Sequence, residues 1–278
     1  MTSTQSAGIE ILHRKPTFNF SDIPECWLKD INTSYFMLAL SAYIPASERL
    51  VIEILREQQE HIVDPVLKQE VKTKIKQEGT HARLHKEVNF TIKNRAWKQL
   101  DKLTSLQWKG LSLLKRFMPT SFVVSIPAAF EHFTYMVSKS ILENQQEWLN
   151  TDRPENEAAK FLKWHAFEEL EHQAVCLDVY KYSGGRNWAL TLSLVLFWMP
   201  LTALSVFALQ AILLRQNQRL NSLKEIKAYA KFVYRNKGMF FSGAFHYLFK
   251  RNKNWSKSDK ALYNLIIQEY TSEKQNQK

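Results

Sequence analysis

The chain has 278 residues, a formal net charge of +11, and only seven glycines and eight prolines. This length can bury a large core, and long segments with a 3.6-residue apolar period predict an all-α protein. Two cysteines are too few for a disulfide framework and indicate a reducing compartment, while the N-terminus lacks the apolar stretch of a secretory signal peptide. The sequence has no zinc-finger spacing, RNA-binding aromatic motif or glycine-rich phosphate loop, so we expect no nucleic-acid partner.

The first predicted helix runs from about Asn32 to Glu60. Pro45 lies inside it and predicts a kink or a restart. Glu48 falls on the apolar face of this helix, where an unpaired carboxylate would be costly. Two interpretations stay open with equal weight. Glu48 is a metal ligand, or it is an ordinary acid that pairs with Arg49 or follows the proline in a first turn.

The second predicted helix, from about Val66 to Asn94, contains a Glu-x-x-His pair formed by Glu78 and His81. His85 lies one turn further along the same face. It is either a further ligand or, in our preferred interpretation, a residue that contacts a ligand or the substrate. Gly79 in mid-helix costs roughly 1 kcal/mol relative to alanine, which predicts that a backbone or a ligand approaches closely there.

Residues 95–120 read as a helical crossover. Thr120 or Ser121 could cap the next helix, which is predicted to end at about Leu149. Glu131 is a lone carboxylate among apolar neighbours in this helix. Like Glu48, it is a candidate for a buried charge that needs a cation.

A long helix over Lys163–Tyr182 carries the densest group of candidate ligands. His165, Glu169 and His172 stand at i, i+4 and i+7, which places them on one helix face. Glu169 and His172 form a second Glu-x-x-His pair. A lone Glu from each of two helices and Glu-x-x-His from each of two others is the pattern of dinuclear carboxylate bundles. The sequence therefore predicts a ferritin-like four-helix bundle with a dinuclear metal site.

The C-terminal third begins where Ser183–Asn187 breaks the helix. The segment Trp188–Leu214 has no charged residue and is about as long as the ~20 residues needed to cross a bilayer. We predict a membrane-associating hydrophobic helix here; the alternatives are a helix that covers the bundle or a homodimer contact. Basic residues alternate with apolar ones after it, as on an amphipathic helix that lies on anionic lipid.

These patterns divide the chain into three parts. Residues 1–24 form a tail, residues 25–185 the ferritin-like metal-binding bundle, and residues 186–278 the hydrophobic helix and the basic amphipathic helices. The last of these amphipathic helices is predicted over about Ser258–Tyr270.

Four blocks of sequence together resemble one bacterial family, the predicted metal-dependent hydrolases, whose members look ferritin-like. The blocks are LALSAYIPASERLVI, IKQEGTHARLHKEVN, AAFEHFTYMVSKSIL and FLKWHAFEELEHQAVCLDVY, and the resemblance covers about Asp22 to Phe249. The triplet of His165, Glu169 and His172 is also similar to that of the di-iron arylamine N-oxygenases, in which an extra histidine joins the usual six ligands. That similarity implies His165 as a seventh ligand.

The expected ligand set is Glu48, Glu78, His81, Glu131, His165, Glu169 and His172. Four carboxylates and three histidines suit two divalent first-row ions, iron or alternatively manganese, better than zinc. The leading hypothesis is a di-iron oxidase or oxygenase that activates O₂ and oxidises an apolar or lipid-like substrate. The alternative is a metal-dependent hydrolase that uses a metal-generated hydroxide. A second alternative is a non-catalytic iron-handling or membrane scaffold protein.

The expected partners follow from this hypothesis. They are O₂, an apolar small-molecule or lipid substrate, an unidentified electron donor and an anionic membrane surface. We expect the protein on the cytoplasmic side of the inner membrane.

Overall fold

The structure, a computed structural model, describes residues 11–96, 100–150, 155–172, 174–186, 190, 199–249 and 257–276. The helices in these ranges are α1 (Ile31–Gln59), α2 (Pro65–Ala96), α3 (Leu100–Phe117), α4 (Thr120–Glu143), α5 (Gln145–Trp148), α6 (Glu157–His172), α7 (Val175–Tyr182), α8 (Met199–Gln216), α9 (Leu223–Phe249) and α10 (Lys257–Asn276). The described residues contain no strand, so the all-α prediction is confirmed.

Side-chain caps define where several helices begin. Asp30 accepts a hydrogen bond from the Thr33 amide at 2.8 Å and caps α1. Asp64 accepts from the Val66 amide at 2.9 Å, directly before the proline that opens α2. Ser222 and Glu225 form a reciprocal capping box at the start of α9.

Helices α1, α2, α4 and α6 surround one hydrophobic core. α1 packs against α2, α3, α4 and α8, while α6 packs against α4 and α2. Fully buried Phe36, Leu55, Phe167 and Leu170 belong to the core that these helices share. This arrangement lets four helices each present one face to the same interior. The domain limits at residues 24 and 185 stay predictions.

Pro45 does not interrupt α1, which continues through it from Ile31 to Gln59. A proline lacks the N–H that would bind the carbonyl four residues earlier, here that of Ser41. The Asn89 side chain on α2 donates to this carbonyl at 2.8 Å. The free acceptor is therefore satisfied by a neighbouring helix, and the predicted restart does not occur.

The helix predicted over Lys163–Tyr182 is divided in two. α6 ends at His172 and α7 begins at Val175. Ala174, outside both helices, keeps right-handed helical dihedral angles of −95° and −40°. The described interruption, at Ala174, therefore follows the last candidate ligand in the sequence.

The hydrophobic segment Trp188–Leu214 is described only at residue 190 and from Met199 onward. Its described part forms most of α8, which packs on α1 and contributes buried Val206, Leu209 and Leu213 to the core. Gln210 donates to the Asn32 carbonyl at 2.8 Å, which fixes α8 on the first turn of α1. Among the described helices, none is both long enough and apolar enough to cross a membrane.

Candidate metal centre

The structure brings all seven predicted ligands into one buried cluster. Helix α1 contributes one of them, α2 two, α4 one and α6 three, and each residue is at most 5% exposed. The cluster consists of Glu48, Glu78, His81, Glu131, His165, Glu169 and His172. Metal binding by these seven side chains stays a prediction.

Two overlapping groups of donor atoms lie within metal-binding reach of one another. Within each group the donor atoms are at most 4.8 Å apart. One group is Glu78, His81, Glu169 and His172, and the other is Glu48, His81 and His165. Glu131 completes the cluster, because its Oε2 lies 3.5 Å from His172 Nδ1.

Two of the three imidazoles are held by a carboxylate or an amide outside the cluster. His81 Nε2 lies 2.9 Å from Glu168 Oε2, a carboxylate that can only accept, so this nitrogen carries the proton. His172 Nε2 lies 3.1 Å from Gln77 Oε1, and the amide nitrogen of Gln77 donates to Glu171. The His172 Nε2 must therefore donate as well. In both rings the other nitrogen, Nδ1, points at the carboxylates.

A hydrogen-bond relay orients His165. The Asn89 amide nitrogen donates to the Ser41 carbonyl, so its Oδ1 accepts from the Ser41 hydroxyl at 2.7 Å. Ser41 Oγ then accepts from His85 Nδ1 at 2.8 Å, which leaves His85 Nε2 as the acceptor for His165 Nδ1 at 2.9 Å. His165 Nε2 is left with a lone pair that points at the cluster.

Three carboxylate oxygens of the cluster have no hydrogen-bond donor within the described structure. They are Glu48 Oε2, Glu78 Oε2 and Glu131 Oε1. Burying unpartnered acceptors is costly unless a cation neutralises them. Metal ligands commonly have this arrangement, with outer nitrogens hydrogen-bonded and inner lone pairs converging. The donor set therefore fits divalent cations.

The electrostatics of the cluster also favour added positive charge. Burial and then the Glu78 carboxylate raise the pKa of Glu48 well above its ordinary value. Burial opposes protonation of His172, but Glu169 and Glu78 outweigh it and raise the pKa of this imidazole to about 10. By contrast, burial and the neighbouring His81 lower the pKa of His165. Glu48 and His172 therefore favour their protonated forms, whereas His165 favours its neutral form.

Lys74, which the sequence analysis did not identify, lies inside the cluster. Its Nζ is 2.7 Å from Glu78 Oε1 and 2.8 Å from Glu131 Oε2, and its side chain is completely buried. Burial opposes its charge, but the carboxylates of Glu131 and Glu78 hold the pKa of Lys74 well above its ordinary value. One half of the cluster thus contains a built-in cation. The i−4 spacing from Glu78 is the signal that could have found it.

A second layer of buried charge surrounds the cluster and was also missed. Arg14 binds Glu168 at 3.0 Å and Glu171 at 2.7 Å. Tyr263 on α10 donates to Glu171 at 3.1 Å. Both carboxylates are fully buried on α6 beside the ligands. Their alternation with ligand positions in the sequence HAFEELEH was visible, but their partners come from distant segments.

Two expectations on α2 need correction or refinement. Both ring nitrogens of His85 are engaged, by Ser41 and by His165, so it contacts a candidate ligand and has no nitrogen free for a substrate. Burial and then His165 lower its pKa well below the ordinary value. At Gly79 no backbone of the described residues approaches closely, because a Cβ built there meets no described heavy atom within 4 Å; the alternative of a ligand at this position stays a prediction.

An apolar cavity of about 420 Å³ adjoins the cluster between α1, α3, α4 and α8. Thr134 lines this cavity and donates to Glu169 Oε2 at 2.6 Å. This threonine therefore connects the cavity to a residue of the cluster. Volumes of this order are typical of pockets for small molecules.

Comparison with known proteins gives one match. The model of a family described as predicted metal-dependent hydrolases matches residues 12–259. No curated protein and no solved structure matches the chain. The match covers the buried Glu and His cluster and most of the sequence. The chain therefore belongs to the family of predicted metal-dependent hydrolases.

Proposed function

We propose that the protein is a metal-dependent hydrolase of apolar acyl substrates. The observation that carries this proposal is the orientation of three histidines, each fixed through one nitrogen with the other nitrogen turned toward buried carboxylates. The family description supports hydrolysis over oxidation. The cavity beside Thr134 supports an apolar substrate.

The seven clustered side chains would hold the metal, with His81 between its two groups of donors. Their mixture of carboxylates and imidazoles favours manganese or iron over zinc. Bound divalent ions would supply Lewis acidity to polarise a substrate carbonyl and to lower the pKa of water. We also propose that α1, α2, α4 and α6 form a ferritin-like bundle around this site.

The protein's own residues contribute orientation and exclusion of water. Glu168, His85 and Gln77 each fix one histidine ring. Thr134 fixes Glu169 Oε2 and leaves Glu169 Oε1 near the three imidazoles, 3.0 Å from His165 Nε2. Because the cluster is buried, bulk water is excluded and the electrostatic interactions within it are strong.

Oxidation by O₂ at a di-iron or manganese–iron centre is the second candidate. The observation that favours it is the donor set, in which four carboxylates accompany three imidazoles from four helices. Such a reaction also requires an electron donor. The apolar cavity is compatible with either reaction.

The test compares both reactions on one preparation. Chelator-stripped protein is reloaded with Mn(II), Zn(II) or Fe(II) under argon and given p-nitrophenyl octanoate; O₂ uptake is then measured separately. We expect metal-dependent ester cleavage without O₂, abolished together with metal binding in Glu169→Gln. Glu87→Gln is the matched control, since Glu87 lies exposed on α2 and pairs with Arg83.

Each alternative result has a defined meaning. Iron-dependent O₂ consumption without ester cleavage would replace hydrolysis by the second candidate. Failure to retain any divalent ion would overturn both, and would leave the cluster as a buried ion-pair network.

A further inference from the structure

The cavity beside the cluster is lined mostly by apolar side chains, with a few polar groups among them. Its apolar walls include Ile44 and Leu50 on α1, Leu111 and Leu114 on α3, and Ile126 and Phe133 on α4. Thr134 is the lining residue whose hydroxyl donates to Glu169 of the cluster. Gln107, also in the wall, donates to the Tyr43 carbonyl at 2.9 Å and to Ser47 Oγ at 3.2 Å.

Part of the cavity lining, on α3 and α8, is exposed at the surface. Leu106 on α3 is 67% exposed and Leu201 on α8 is 47% exposed, and both line the cavity. Gly110, also in the lining, leaves its side open, because a Cβ built there meets no described heavy atom within 4 Å. An apolar molecule could therefore enter past these two leucines, and no side chain at position 110 blocks its way.

We propose that this cavity binds the unbranched acyl chain of a fatty-acyl ester or amide, with the acyl carbonyl beside Thr134. The inference rests on the proposed hydrolase function and names its substrate class. The volume of about 420 Å³ lies within the range of pockets that hold small molecules. The apolar walls suit a hydrocarbon chain, and few polar groups are present to recognise anything else.

The reaction on such a substrate needs only water. The water oxygen bonds to the acyl carbon, the bond from that carbon to the alcohol oxygen or amine nitrogen breaks, and the leaving group takes a proton. The products are a fatty acid and an alcohol or amine. No oxidant or reductant is required.

The first experiment measures binding of a probe that cannot be hydrolysed. Titration calorimetry compares sodium dodecanoate with sodium butanoate on the metal-loaded protein. We expect affinity to rise by up to about fourfold per buried methylene until the cavity is full. Gly110→Phe should abolish this dependence on chain length, because its ring enters the open part of the cavity.

Two control variants separate filling from other effects. Gly110→Ala removes the glycine with little added volume and should preserve binding. Gly79→Phe adds the same ring at another open helical glycine, outside the cavity, and should also preserve it. Circular dichroism checks that all three variants remain folded.

The outcomes distinguish this inference from the hydrolase proposal. Chain-length-dependent binding that Gly110→Phe removes, without ester cleavage, would leave the inference standing and refute hydrolysis. Ester cleavage that is equal for acetate and dodecanoate esters and unchanged in Gly110→Phe would refute the inference alone. Equal affinity for butanoate and dodecanoate would also refute it.

Discussion

The Lys74 ammonium lies 2.8 Å from Glu131 Oε2, and both side chains are buried in the centre of the helical core. Glu78 Oε1 lies 2.7 Å from the same nitrogen. Lys74 therefore neutralises part of the negative charge of two carboxylates that the ligand pattern in the sequence assigns only to metal ions. It makes the two halves of the cluster unequal, since the donors Glu48 and His165 lie in the half without a lysine contact.

Replacing Lys74 should lower the stability of the metal-free protein and increase the stabilisation that a bound metal provides. In Lys74→Met the metal-free protein should lose about 3–5 kcal/mol of unfolding free energy, because two buried carboxylates lose their partner. Added Mn(II) should restore more stability than in the wild type. Urea unfolding with and without Mn(II) measures both quantities, and exposed Lys76→Met on the same helix is the control. An equal loss of unfolding free energy in Lys74→Met and Lys76→Met would show that Lys74 does not neutralise the two buried carboxylates.

Metal uptake should release protons. His172 has a pKa of about 10, so at pH 7 its imidazole is protonated in the metal-free protein. Burial opposes protonation of His81, but hydrogen bonds to Glu168 and Glu169 raise its pKa. A metal must displace these protons, so its apparent affinity should fall as the pH is lowered from 8 to 6. Calorimetry in buffers of different ionisation enthalpy counts the protons; none released would refute this prediction.

The positions of the candidate ligands were predictable because helical geometry converts spacing into direction. Glu78 and His81, three residues apart, share a helix face whatever the tertiary packing, and the same holds for Glu169 and His172. Four such helices can satisfy these buried groups only by turning them toward one another. Local rules and the cost of buried charge were therefore sufficient.

The surroundings of the cluster could not be predicted by the same rules. Arg14 lies in a segment without regular secondary structure and reaches Glu171 across 157 positions of sequence. The contact of Asn89 with the Ser41 carbonyl depends on which helix packs beside Pro45. Lys74 does not belong to a ligand pattern of acids and histidines, yet its ammonium occupies the position next to Glu78 and Glu131 that a metal cation could take.

The N-terminal segment should stabilise the metal centre through Arg14. Arg14→Met removes the cation shared by buried Glu168 and Glu171. We expect a loss of about 3 kcal/mol of unfolding free energy, at the lower end for broken buried pairs because Arg14 itself is one quarter exposed. Urea denaturation measures it. Arg83→Met, which breaks an exposed pair with Glu87, should cost at most about 1 kcal/mol. A similar value for both would show that the second layer of charge contributes little.

The relay from Ser41 to His165 should control metal affinity without contacting the metal. Ser41→Ala leaves His85 Nδ1 without its partner at 2.8 Å, so the ring can rotate and the proton on His165 is no longer held on Nδ1. We expect metal affinity to fall about 10- to 100-fold, which is typical when the partner of a ligand histidine is lost. Unfolding free energy should fall by only about 1–3 kcal/mol.

Competition with a chelating dye measures that affinity, and Thr91→Ala is the control, since its hydroxyl donates to the Glu87 carbonyl within α2. Metal affinity should also fall more in Ser41→Ala than in Ser41→Thr, because threonine keeps a hydroxyl. If Ser41→Ala lowered stability but left the affinity unchanged, the relay would have a purely structural role. His165 would then be held by packing against Phe161, whose ring stacks on it at 5.8 Å.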